Sequence, residues 1–165
     1  MQIQVDPLTG PEIAALLREH LDEMHRISPP ESVHALDLDR LRTPEVTFWS
    51  AWSDGELLGC IALKQLDRGH GEIKSMRTSV RHQRRGVASA LLRHLLEEAQ
   101  RRGYRQLSLE TGTQPEFSAA RTLYARYGFQ TCGPFAQYAE DPHSAFMTRM
   151  LQPARQAPHA REQAR

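Results

Sequence analysis

The chain has 165 residues, of which 39% are hydrophobic and 25% charged. That is the length of one domain with an ordinary core, and the composition of a globular chain rather than a disordered or fibrous one. Lys plus Arg (21) nearly cancel Asp plus Glu (20), a formal charge of +1, which speaks against a surface coated in basic groups for nucleic acid or anionic lipid.

Ile3 and Val5 alternate with polar neighbours and predict a short first strand. Asp6 to Pro11 reads as a turn. Ile13, Leu16, Leu17, Leu21 and Met24 then recur at helical spacing, with Pro11 in the first turn. That helix must end before Ser28-Pro29-Pro30, because a residue preceding proline avoids the helical region. Residues 27–44 predict a polar loop with a short helix at Leu36–Leu41. Val46–Trp52 and Leu57–Leu66 form a hairpin around Asp54-Gly55, and Glu72–Val80 is a third strand of that series. Neither face of Glu72–Val80 is purely apolar, which marks a site rather than plain core. Ala88, Leu91, Leu92, Leu95, Leu96 and Ala99 form the stripe of a long helix that Gly103 stops. Tyr104–Glu110 is the next strand, so this strand–helix–strand crossover requires a parallel pair. Ala120, Leu123, Tyr124 and Tyr127 share one face of a shorter helix. Phe129–Cys132 and Ala145–Leu151 form a final antiparallel pair, and 153–165 reads as a disordered tail after a domain of residues 1–152.

Cys60 and Cys132 make neither a disulfide framework nor a Cys-x-x-Cys pair. No basic and apolar leader follows Met1, and no apolar run is long enough to cross a bilayer. A reducing, cytoplasmic setting without membrane or metal partners is the expectation. His20 and His25 lie five apart, off the spacing of a helical zinc pair.

The chemistry concentrates at Gln83-Arg84-Arg85-Gly86-Val87-Ala88-Ser89, between a strand and a helix. A helix N-terminus offers free N–H groups and the positive end of its dipole, a natural seat for a phosphate. Gly86 lets the backbone approach it, and Ala88 and Ser89 leave room. The stretch lacks both the Gly-Lys-Ser/Thr ending of a Walker loop and the Gly-x-Gly-x-x-Gly of a dinucleotide fold.

Gln/Arg-x-x-Gly-x-Gly/Ala at such a junction resembles the acetyl-CoA signature of the GNAT N-acetyltransferases. Glu72–Thr78 resembles that superfamily's fourth strand, and Ala120–Phe129 its late helix ending in Tyr-x-x-x-Gly-Phe. The likeness covers residues 1–151 and suggests a small bacterial subgroup. It implies a single α/β domain: a mixed, mostly antiparallel sheet whose parallel central strands splay apart, with flanking helices. It implies acetyl-CoA as donor, its pantetheine arm along Met76, Arg77 and Thr78, and its pyrophosphate on Arg84, Arg85, Gly86, Val87, Ala88 and Ser89. Tyr124 would lie near the sulfur and protonate the leaving thiolate. Phe117 stands where many members carry an Asn touching the CoA arm, so one cofactor hydrogen bond is replaced by an aromatic ring.

The acceptor is then a primary amine, attacking directly in a ternary complex, and its proton needs a base. Glu72 is the first candidate, because strand parity with Met76 and Thr78 turns it toward the same cleft. An ion pair with Lys74 is its competing role. Glu110 is the second candidate, and His34 and Glu110 are candidate acceptor contacts. A small molecule, an amino acid or a peptide all fit, as does a homodimer. A non-catalytic acyl-CoA sensor with the same fold is the alternative, and would bind acetyl-CoA without transfer.

Overall fold

The computed structural model describes residues 1–153; most of the predicted tail lies outside them. One mixed sheet of seven strands, in the order β1-β2-β3-β4-β5-β7-β6, carries helices on both faces. The elements are β1 (Gln2–Val5), α1 (Pro11–Ile27), α2 (Leu38–Leu41), β2 (Val46–Ser53), β3 (Glu56–Gln65), β4 (His70–Thr78), α3 (Val87–Arg101), β5 (Gln106–Gly112), α4 (Ser118–Arg126), β6 (Gln130–Cys132) and β7 (Ser144–Met150).

Alternation along the inner strands sends neighbours to opposite layers. Phe48 packs with Ile13, Leu16 and Leu17 of α1, and with Leu41, Cys60 and Ala62. The adjacent Trp49 packs with Leu91, Leu92 and Leu95 of α3, and with Leu63, Ile73, Leu107 and Leu109. Each face therefore buries its own amphipathic helix, and the hydrophobic stripes read in the sequence are the surfaces that do it. α1 ends at Ser28, whose extended backbone leads into Pro29.

Two strands are shifted by two residues from expectation. β4 begins at His70 and ends at Thr78, and Val80–His82 is a turn of 3₁₀ helix. β5 runs from Gln106 to Gly112 rather than from Tyr104. The Tyr104 N–H closes α3 on the Ala99 carbonyl, so Tyr104 completes the helix cap before the strand can start.

Among the described strands only β4 and β5 run parallel, and they pair only from His70–Ile73 to Gln106–Leu109. Beyond that they part. The diverging arms, Lys74–Thr78 and Glu110–Gly112, make a V in the middle of the sheet.

A bulge shapes the first arm. Cys60 pairs with Arg77 and Ala62 with Lys74, so Ile61 alone faces both Ser75 and Met76. Ser75 takes a positive φ of 54° to accommodate the extra residue.

Candidate active site

The V opens into a cleft of about 670 Å³. On one side it meets the start of α3. Gly86 caps that helix in the left-handed region, at φ 79°, and nothing lies within 4 Å of where a β-carbon would be. The glycine thus serves both the turn and the open approach to the first N–H groups of α3. Arg84, Gly86, Val87, Ala88 and Ser89 line this side, Val87 with its side chain in the core. Ser89 Oγ shares a hydrogen bond with Tyr127 Oη, which ties the first turn of α3 to the end of α4. Arg85 is absent from the wall; its guanidinium turns to His82 Nδ1 at 3.5 Å. Its predicted side-chain role at the pyrophosphate is therefore not supported.

The bulge turns Met76 toward α4, where Tyr124 Oη donates to Met76 Sδ at 3.6 Å. Tyr124 is 5% exposed, and burial holds its phenol well above the ordinary range, so it stays protonated. Phe117 fills the space over Gly112, which has no room for a β-carbon. Thr78 completes the arm. Arg77 also lines the cleft, but its side chain clamps β4 to α1: its Nη2 donates to Glu19 Oε1 at 2.7 Å and Glu23 Oε2 at 2.9 Å. Any cofactor contact of Arg77 is left to its backbone. The long open strand arm, the vacant space over Gly86 and the uncapped helix start fit a pantetheine arm ending in a pyrophosphate.

The other side of the V is built from side chains far apart in sequence. Contrary to strand parity, Glu72 and Met76 lie on opposite faces of the sheet, because the bulge intervenes. Glu72 still lines the cleft, from the α1 layer. It is 3% exposed, and its Oε1 accepts from Lys74 Nζ at 2.8 Å and from Tyr138 Oη. Lys74 Nζ also donates to Tyr138 Oη at 2.9 Å. Glu110 faces this network from the β5 arm. Burial pushes its carboxyl up to about 7, and the Ser144 hydroxyl and the Lys74 charge only partly oppose that.

Two loops roof this half. His34 meets the Tyr138 ring edge-on at 5.0 Å. Ser32 Oγ donates to Asp141 Oδ2 at 2.6 Å, joining the 27–44 and 133–144 segments. That bond and the His143 N–H hold the Asp141 carboxyl below its ordinary value. Burial, aided by the Lys74 charge, lowers His34 and keeps its ring neutral. Lys74 was not among the expected site residues. The available signal was Lys74 itself, one of two lysines in an arginine-rich chain, on the strand without a clean apolar face. Among the described residues no three His, Cys, Asp or Glu side chains gather as a metal site requires.

A mixed sheet split into a V beside a glycine-capped helix is the architecture of the acetyl-CoA-dependent acyltransferases. The acetyltransferase (GNAT) family matches residues 13–129, and the chain belongs to that family of enzymes. It is 59% identical over 151 residues to the uncharacterized N-acetyltransferase YsnE of Bacillus subtilis (strain 168), covering 92% of this chain and 100% of that one. A Klebsiella pneumoniae protein described provisionally as an acyl-CoA N-acyltransferase is 33% identical, with a TM-score of 0.76 over 92% of this chain and 97% of that one. A GNAT family acetyltransferase of Elizabethkingia anophelis, solved with acetyl-CoA bound, shares the fold at 20% identity, with a TM-score of 0.63 over 91% of this chain and 97% of that one. Among the described residues no helix is long and apolar enough to cross a membrane.

Proposed function

We propose that this chain transfers the acetyl group of acetyl-CoA to a primary amine, with Glu110 as base and Tyr124 as acid. The observation that carries this is the V itself: one cleft touches the α3 N-terminus on one side and a carboxyl held near neutrality on the other. Acetyl-CoA supplies an activated acyl carbon. The α3 N–H groups and Arg84 would hold its pyrophosphate, and the β4 arm at Met76 and Thr78 its pantetheine.

Glu110 takes the proton of the incoming ammonium, which frees the nitrogen lone pair for attack. The C–N bond forms, the C–S bond breaks, and Tyr124 donates a proton to the leaving sulfur. Glu110 is preferred over Glu72 on two grounds. A carboxyl that titrates near 7 is matched to working pH. Glu72 Oε1 already accepts from an ammonium and a phenol. The free thiols Cys60 and Cys132 suit a reducing cytoplasm.

The test is amine-dependent release of the CoA thiol from acetyl-CoA, followed with a thiol reagent across a panel of primary amines. Release that needs both protein and amine supports the reading. Acetyl-CoA binding without release for any amine would overturn it in favour of a sensor.

A further inference from the structure

The acceptor half of the cleft carries several acidic residues, yet two of them are already engaged within the protein. Glu72 is paired with Lys74, both side chains almost fully buried. Asp141 has its two oxygens occupied by the Ser32 hydroxyl and the His143 N–H. Glu110 faces the cleft from the β5 arm, and among the described residues no cationic side chain lies within ion-pair distance of its carboxyl. That places one ammonium at Glu110.

Lys74 is the unusual feature of this wall. Its side chain is 8% exposed, in a cleft proposed to bind amines, where a like charge is a poor choice. An ammonium has three N–H donors. Two go to Glu72 Oε1 and Tyr138 Oη, and the third has no partner among the described residues. His34, with a neutral ring able to donate from one nitrogen, stands beside it against Tyr138. Across the V, Glu110 receives the amine. One wall of the pocket therefore donates and the opposite wall accepts.

We infer that the acceptor is a free amino acid or a closely related amine bearing a carboxylate, its nitrogen at Glu110 and its carboxylate on Lys74 and His34, with Lys74 selecting it against polyamines and aminoglycosides. This rests on the acetyl-transfer reading above and uses the same proton and bond changes, so the product is an N-acetyl amino acid and free CoA.

The experiment compares phenylalanine, phenylalaninamide and phenethylamine, with matched sets for leucine and glutamate, and spermidine and kanamycin as polycations. CoA thiol release is one readout. The other is calorimetric titration of each amine into CoA-saturated protein. The acids should exceed their decarboxylated partners and the polycations in kcat/KM and in affinity by about 10- to 100-fold, as expected for a charge-assisted hydrogen bond. Lys74→Met should erase that preference through KM while the Kd for acetyl-CoA stays within about twofold. Lys74→Arg should restore part of it. Removing Lys74 alone strands the Glu72 carboxylate, so the neutral pair Glu72→Gln/Lys74→Gln is measured beside it.

Decarboxylated amines or polycations used as well as the acids would overturn the inference, as would a preference that survives in Lys74→Met and in the neutral pair. Free amino acids that neither react nor bind would also overturn it, and a gain for phenylalaninamide over phenylalanine would point to a peptide N-terminus instead. Failure of the wild type to bind acetyl-CoA would instead overturn the acetyl-transfer reading, so the two failures are distinguishable.

Discussion

The two halves of the cleft are built by different means. The donor half is made largely of backbone: the start of α3, the left-handed Gly86 and the arm of β4 beyond its bulge. The acceptor half is made of side chains from β4, β5 and two loops, such as Ser32 and Asp141, joined across 109 positions. A backbone site is encoded by a few local residues and serves any member that keeps the turn. A side-chain site depends on distant partners and is where an acceptor is chosen.

Four changes sharpen that contrast. The largest effect should come from Glu110→Gln on the acceptor side, lowering kcat by about 10²- to 10⁴-fold. The wild-type rate should rise with pH through about 7 as Glu110 loses its proton, and the variant should lose that limb. Stability carries the same sign. The folded carboxyl titrates near 7 against an ordinary 4.5, so its contribution is fully present below pH 4.5 and lost as pH rises through 7. Glu110→Gln should therefore raise Tm relative to wild type at pH 8 and leave it unchanged at pH 4, which scanning calorimetry would check.

Gly86→Glu acts on the donor half alone. It places a carboxylate where phosphate binds and should weaken acetyl-CoA binding by about a hundredfold or more, with the circular dichroism spectrum retained. Tyr124→Phe should lower kcat roughly tenfold, the loss of one hydrogen bond to a charged sulfur, with little change in acetyl-CoA Kd by calorimetry. Arg85→Ala should change that Kd by less than about twofold, because its guanidinium faces His82 and not the cleft. A large loss there would return Arg85 to the phosphate site.

The same division explains what could be read from the sequence. The α1 and α3 stripes, the Asp54-Gly55 hairpin and the Gly86 turn were legible because each is a local pattern with a local cause. Asp54 and Gly55 both adopt positive φ, as such a tight turn demands. The placing of Glu72 relative to Met76 was not legible. Alternation assumes an unbroken ladder, and the extra residue at Ser75 arises from pairing with β3. The engagement of Arg77 with Glu19 and Glu23, and of Lys74 with Tyr138, spans more than 50 residues in each case. No local pattern encodes such pairs.

Every step proposed for the cleft depends on the donor site. Its simplest test is thermal unfolding with acetyl-CoA, CoA, ATP and NAD added separately. A ligand bound only by the folded protein raises Tm by mass action, by about 2.7 kcal/mol of apparent stability at a hundred times Kd. Acetyl-CoA and CoA should raise Tm, ATP and NAD should do so far less, and Gly86→Glu should remove the rise. No shift with either CoA species, or an equal shift with ATP, would contradict the assignment of the V as a CoA site.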